Sequence, residues 1–349
     1  MISLVRGNIL KSTAEALVNT VNAVGVMGKG IALQFKKAFP ENFTAYEAAC
    51  KKGQVRVGAM FITETGMLHG PRFIVNFPTK RHWKGKSRLE DIEAGLRALV
   101  QDVRRLGIRS IAIPPLGCGL GGLPWPEVKT RIEAAFSALP NVEVFIYEPR
   151  GAPPPEDMPN RTPKPDMTTG RAAFLGVLGR YARMLFEPVV TVLEAQKLSY
   201  FLQAAGEPLH LRFVKWHYGP YADNLRHVLS ALDTHYLVGW GDAPNRPLTP
   251  LRILPETLQA AEAWLVGHPD TMARFQRVVS LSEGFESPYG MELLGTVHWV
   301  AINEIDPAQL GVDAVLSAVQ AWTIRKSRMF SRQHVEVALN QLRVLGWLQ

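Results

Sequence analysis

Twice in this chain an apolar strand runs into a glycine-rich turn that opens into a helix. That repeat restricts the available folds more than any other feature. The first copy spans residues 5–33, V-R-G-N-I-L-K-S-T-A-E-A-L-V-N-T-V-N-A-V-G-V-M-G-K-G-I-A-L. One short strand ends at Gly7 and Asn8. The apolar run 16–21 passes through Asn22 into Gly25, Gly28 and Gly30, and residues from Ile31 have helical spacing. The second copy is the strand 111–114, then P-L-G-C-G-L-G-G at 115–122 and a helical stretch from Pro124. Such a unit is an anion cradle: backbone N–H groups point at the ligand, and glycines without Cβ let it approach. One such loop alone is more often an ordinary turn, whereas two can clamp a diphosphate from both sides. The spacing is neither G-x-G-x-x-G nor G-x-x-x-x-G-K-[ST], so the common dinucleotide and P-loop readings fail.

The chain has 349 residues, enough for two domains with separate cores. Hydrophobic residues make up 47% and charged residues 20%, which describes a globular protein rather than a disordered one. No run of 18 apolar residues exists, no signal peptide opens the chain, and two cysteines give no disulfide framework; a reducing cytoplasm is the expected location. Neither a CxxC pair nor a His/Cys cluster occurs, so no metal is expected, and no cofactor. The net charge is +8; residues 1–160 hold 21 Lys and Arg against 14 Asp and Glu, or +7 of it. A basic surface on the domain with the glycine loops suits phosphate contacts, although any basic protein shares the feature.

Along the chain, residues 1–6 and 17–21 read as strands and 30–37 and 41–52 as helices, with Phe43, Tyr46 and Ala49 as core. Residues 59–63 and 73–77 form an antiparallel pair. Residues 89–106 form an amphipathic helix with Ile92, Leu96, Leu99, Val100 and Val103 on one stripe. The strand 110–114, a helix at 124–139 and a strand at 142–147 complete an α/β/α sandwich over a mixed sheet. Tyr147 either lines a ligand or packs in the core.

After Pro78 the sequence reads T-K-R-H-W-K-G-K-S-R, placing five cations and one indole in residues 80–88. Cations with an interleaved aromatic suit single-stranded nucleic acid, with Arg81, Lys84 and Lys86 at phosphates and Trp83 stacked on a base. The alternative is a solvated loop with Trp83 turned inward. Cys118, between two glycines and without a visible His as base, reads as a small filler and not a nucleophile.

Residues 153–165 carry six prolines and mark a linker, drawn at 156–169 between a first domain at 1–155 and a second at 170–349. The second domain has helical periodicity at 172–185, 190–204, 225–237, 258–268, 271–281, 290–303, 313–321 and 333–345. A small hairpin is expected around 212–214 and 237–240. Gly219 and Pro220 are read as a turn, with His217, Tyr218 and Tyr221 as packed aromatics.

The set G-N-I, A-L-V-N-T-V-N, G-V-M-G-K-G-I-A and I-P-P-L-G-C-G-L-G-G resembles a macrodomain, the ADP-ribose-binding fold. With N-F-P-T-K at 76–80, it is similar to the branch holding the terminal ADP-ribose protein glycohydrolases and the DarG antitoxins of DarT–DarG systems. The resemblance covers residues 1 to about 155. K-L-S-Y-F-L-Q-A-A-G with F-V-K-W-H-Y-G-P-Y-A-D-N-L downstream resembles helical antitoxin modules. The expected architecture is therefore α/β, a macrodomain followed by a mostly helical C-terminal domain that binds the DarT toxin. The resemblance implies an ADP-ribose site at Asn8, Ile9, Thr20, Val21, Asn22, Gly28, Gly30, Ile31, Thr79, Gly117, Cys118, Gly119, Leu120 and Gly121. It implies ADP-ribosylated single-stranded DNA as substrate and Lys80 as the catalytic residue. Asn8 stands where macrodomains more usually carry an aspartate, and Asn22 either touches the distal ribose or caps its turn. The relatives' loop aspartate is replaced by Gly121, so their two-residue mechanism does not carry over intact. Arg81 and Lys84 are the expected neighbours that would favour a free amine on Lys80. A non-catalytic reader, a stoichiometric toxin blocker and a protein-directed glycohydrolase remain alternatives.

Overall fold

Apolar residues on both faces of its central strands force this chain to bury a sheet between two helical layers. The computed structural model describes residues 1–149, 158–186, 188–241 and 246–348. It divides into two compact units, Met1–Pro163 and Lys164–Gln349.

In the first unit, β1 (Ile2–Val5), β2 (Ala16–Asn22), α1 (Gly30–Ala38), α2 (Pro40–Lys51), β3 (Phe61–Glu64), β4 (Phe73–Lys80), α3 (Leu89–Leu106), β5 (Ser110–Ile113), α4 (Trp125–Phe136) and β6 (Glu143–Tyr147) follow one another. The strand order is β1-β6-β5-β2-β4-β3. All neighbours are parallel except β3 with β4. Successive residues face opposite layers: Phe73, Val75 and Phe77 of β4 pack with Ile92, Leu96, Leu99 and Val103 of α3, while Ile74 and Leu17 pack with Phe35 and Ala38 of α1. Each fully buried aliphatic side chain contributes about 1.5–3 kcal/mol of transfer free energy. Gly95 lets α3 lie close to the sheet, since a Cβ there would meet Phe77 Cζ at 2.2 Å. This is the expected α/β/α sandwich over a mixed sheet. Residues 150–157, with Pro153, Pro154, Pro155 and the first two linker positions, lie outside the described residues. Residue 161 belongs to this unit: its N–H donates to Lys37 O at 2.8 Å and its guanidinium covers the Phe39 ring.

The second unit is largely helical. Its elements are α5 (Thr169–Met184), β7 (Val190–Thr191), α6 (Val192–Ala204), β8 (Phe213–Trp216), β9 (Gly219–Ala222), α7 (Leu225–Leu232), β10 (Leu237–Val238), β11 (Pro250–Ile253), α8 (Pro255–Val266), α9 (Pro269–Ser282), α10 (Pro288–Asn303), α11 (Val312–Trp322), α12 (Ile324–Met329) and α13 (Arg332–Val344). Three expectations change. Residues 213–216 pair with Gly219–Ala222, not with 237–240. Leu237 and Val238 instead leave α7 and pair with β11. The tight turn falls at His217 and Tyr218, and Gly219, at φ +92°, opens β9. The short helix α12 is not visible in the sequence pattern because six residues, I-R-K-S-R-M, are too few to display a period.

Helices α6 and α10 form the middle of this unit and are buried nearly all round, polar residues included. Lys197 donates to Pro220 O at 2.7 Å. Lys326 donates to Glu292 at 2.6 Å and Thr296 at 3.0 Å, and Arg325 grips the same carboxylate with both nitrogens. One carboxylate thus serves two cations, and among the described residues Lys197 bonds only a neutral carbonyl. Burial, reinforced by the charge of Lys326 and opposed by Glu292, pulls the Lys197 ammonium down to about 7 from an ordinary 10.5.

The unfolded chain therefore holds a proton that the folded chain has released between about pH 7 and 10.5, and stability rises with pH across that window. The steepest slope expected from one such group is about 1.4 kcal/mol per pH unit. In calorimetric scans of the full chain, Lys197→Met should flatten this slope for the helical unit; an unchanged slope would show that Lys197 stays protonated in the fold.

A candidate active site at the carboxyl edge of the parallel sheet

Five parallel strands bring their carboxyl ends to one edge, where open α/β sheets collect ligand-binding loops. All the residues predicted for ADP-ribose lie at or just beyond the ends of β1, β2, β4 and β5. Asn8 comes after β1 and caps a single 3-10 turn, its Oδ1 accepting from Leu10 N–H at 3.0 Å, and Ile9 is buried. The first glycine loop leaves β2 and enters α1. The second, residues 115–122, leaves β5.

Asn22 shapes the first loop. Its Oδ1 accepts from the N–H groups of Val24 and Val26 at 3.0 and 3.3 Å, and its Nδ2 donates to Val26 O at 2.6 Å. The buried Tyr46 hydroxyl donates to its carbonyl. The amide is thus spent on the turn, the second of the two roles its position allowed. Below the loop, a buried ladder ties Asn19 of β2 to Asn76 of β4 at 3.0 Å and Asn76 to Asn42 of α2 at 2.7 Å. Asn19 also reaches Met27 in the loop itself. Val24 and Val26 remain about two-fifths exposed despite being apolar, and so does Leu120 on the second loop, more fully.

Lys80 owes its position to a bulge. Val21 lies opposite Pro78, but Asn22 lies opposite Lys80, so Thr79 is an extra residue on β4. Such an insertion bends the strand and re-aims the residues after it. Lys80 O accepts from Ala23 N–H at 3.0 Å, joining β4 to the first loop. Its Nζ donates to Leu120 O at 2.6 Å, reaching the second. Burial, and then the charge of Lys86, hold its ammonium below the usual lysine range.

Two expectations about its surroundings are corrected. Arg81 bonds Asp91 of α3 at 2.8 Å, so it faces a carboxylate. Lys84 sits over the Trp83 ring at 5.0 Å. The cation acting on Lys80 is Lys86, because the turn 81–85 folds back and Ser87 N–H donates to Gly121 O at 3.2 Å. Trp83 is 49% exposed, not tucked inward, and its ring stacks on His82.

No side chain fits at Gly121: a Cβ there would meet Gly117 O at 2.1 Å and Ser87 Oγ at 2.3 Å. Gly117, at φ +70°, makes the turn that brings them together. Ser87 is buried, and its Oγ has no hydrogen-bond partner among the described residues. Nothing in the basic run K-G-K-S-R distinguished it from a surface serine. Burial pushes the Cys118 thiol up to about 11, so it stays neutral, in keeping with a filler. Among the described residues no group of three His, Cys, Asp or Glu could hold a metal ion, and no helix is long and apolar enough to cross a membrane.

The edge thus brings together two glycine loops, a lysine bonded to one and joined to the other through its carbonyl, and a basic turn with an exposed indole. The Macro domain family matches residues 18–132. The DNA ADP-ribosyl glycohydrolase of Thermus aquaticus is 47% identical over the whole of this chain and 95% of its own length. A DNA ADP-ribosyl transferase–DNA ADP-ribosyl glycohydrolase fusion protein of Thermosipho africanus is 41% identical over 42% of each chain. The solved macrodomain of Mycobacterium tuberculosis DarG is 56% identical, with 43% of this chain covering 99% of it at a TM-score of 0.43. At such identity over its full length, the chain belongs to the DNA ADP-ribosyl glycohydrolases, the DarG family of macrodomain enzymes.

Proposed function

We propose that this protein hydrolyses the N-glycosidic bond joining ADP-ribose to thymine in single-stranded DNA, with Lys80 as the catalytic residue. The bond from C1 of the distal ribose to the thymine nitrogen breaks, water supplies a hydroxyl to C1 and a proton to the base, and free ADP-ribose leaves. One observation carries the reading: the Lys80 amine, its proton weakened by burial and by Lys86, lies at the sheet edge bonded to the second glycine loop. The diphosphate would lie between Gly28, Gly30 and Ile31 on one side and Gly117, Cys118, Gly119, Leu120 and Gly121 on the other. Asn8 and Ile9 would meet the adenine side, and Thr20, Val21 and Thr79 the distal ribose, with Asn22 holding the turn beside it. Trp83, Lys84 and Lys86 offer the DNA strand a stacking face and charge, while Arg81 acts chiefly through its pair with Asp91.

The leaving base needs a proton or a donor, and C1 needs stabilisation as charge develops. An ammonium on Lys80 serves the first need. A free amine serves the second by bonding C1, to be displaced later by water. Borohydride trapping separates these routes, since only the covalent one leaves a reduced lysyl adduct. No loop carboxylate takes part in either, because position 121 has no room for one.

The helical unit is assigned to the cognate DarT toxin. Support comes from its resemblance to antitoxin modules and from the fusion relative, whose name joins a transferase to a glycohydrolase.

Three outcomes are expected. With single-stranded DNA bearing ADP-ribosyl-thymine, Lys80→Ala should lose roughly 10²–10⁴-fold in turnover while binding free ADP-ribose within a few-fold of the native protein; retained turnover would remove Lys80 from the chemistry. Gly121→Ala should weaken ADP-ribose binding at least about tenfold in calorimetry, since the loop must open by more than an ångström to admit a methyl group. Full-length Lys80→Ala should still silence the toxin at one-to-one ratio but not at catalytic amounts; silencing lost at every ratio would count against a separate toxin-binding surface.

A further inference from the structure

The turn after Lys80 carries a second lysine back to the same loop. The chain leaves β4 at Lys80, makes the turn 81–85, and is pinned where Ser87 N–H donates to Gly121 O. Lys86 consequently lies along the loop, its Nζ 3.3 Å from where a Cβ on Gly122 would stand. Two residues earlier in that loop, Leu120 O holds the Lys80 Nζ. Two ammonium groups therefore converge on Leu120–Gly122, and neither has a carboxylate partner among the described residues.

The other charged and titratable groups lie on four neighbouring elements. On the turn itself, Arg81 is bonded to Asp91 of α3, His82 stacks on Trp83, and Lys84 covers the same indole. Arg88 precedes α3, whose first turn also carries Glu90. On the second loop, Cys118 is a neutral thiol. Lys29 closes the first loop at the start of α1. Lys86 is the cation whose charge acts on the Lys80 amine.

We propose that Lys86 is a positioning residue for the glycohydrolase: held against the second glycine loop by the 81–85 turn, it sets a second cation beside the amine of Lys80 that Leu120 O holds. Like charges held against one loop disfavour each other's protonated form. Position 121 has no room for a carboxylate that would cancel the effect, and Asp91 is paired with Arg81. Lys86 thus performs electrostatically, from a neighbouring turn, a task that sequence proximity alone assigned to Arg81 and Lys84. The inference rests on the reading of Lys80 as the catalytic amine.

Two measurements on the full chain test it separately from that reading. The first is the pH dependence of Lys80 acylation by acetic anhydride, monitored by peptide mass spectrometry without substrate. Lys86→Gln should move the midpoint to higher pH, and Lys86→Arg should leave it near the native value. Lys86 is exposed, so both variants should keep the fold. The second is the pH profile of kcat/KM on ADP-ribosylated single-stranded DNA. The limb that reports Lys80 should move up in Lys86→Gln whether the free amine or the ammonium is the working form, and return in Lys86→Arg. An unmoved acylation midpoint in Lys86→Gln overturns the proposal. A moved midpoint with an unmoved activity profile overturns it as a catalytic role. Full activity in Lys80→Ala instead removes the catalytic reading of Lys80, leaving the acylation result to stand on its own.

Discussion

Parallel pairing of β2 with both β4 and β5 is the constraint on which the site depends. Parallel neighbours run in the same direction, so the loops leaving them emerge at the same edge. Residues far apart in sequence, such as Asn22, Lys80 and Leu120, are thereby delivered to one place at or beyond the carboxyl ends of their strands. The strands are free to be apolar on both faces, and the helices then cover them. The bulge at Thr79 makes the last adjustment, turning the end of β4 without disturbing the pairing upstream.

Much of this architecture is legible in the sequence because it depends on local, periodic signals. Alternation in A-L-V-N-T-V-N and the stripe Ile92–Leu96–Leu99–Val103 predict a strand and a helix whose buried residues are the ones observed. Glycine clusters after apolar strands locate the two loops. Relations depending on where a turn returns stay hidden. Lys86 is six residues from Lys80, and only the bond from Ser87 N–H to Gly121 O shows that it comes back to the loop. Arg81 is adjacent in sequence, yet it is turned toward Asp91. The orphan hydroxyl of Ser87 and the crowding at Gly121 are likewise products of close packing, which leaves no period to detect.

The helical unit resists reading for a different reason. Its periodicity is strong enough to reveal most helices, but its short strands pair by tertiary context. Residues 213–216 turn through His217 and Tyr218 to meet 219–222 and not 237–240, and the hydrogen bond from Lys197 to Pro220 O holds β9 against α6. Buried lysines are also unforeseeable, because Lys197 of α6 and Lys326 of α12 look like surface residues until they are seen packed into the middle of the unit. Burying Lys197 and Lys326 beside Glu292 gives this core a desolvation cost that an apolar core would lack.

The partner of Lys80 in the second glycine loop is a main-chain carbonyl, that of Leu120, and not a side chain. Every amino acid brings the same carbonyl, so substitution at position 120 leaves that acceptor in place as long as the loop keeps its path. The contact is therefore invisible to side-chain scanning and neutral to drift at its own position. The loop tip can change its apolar face to suit a changing substrate while the anchor of the amine is inherited unaltered.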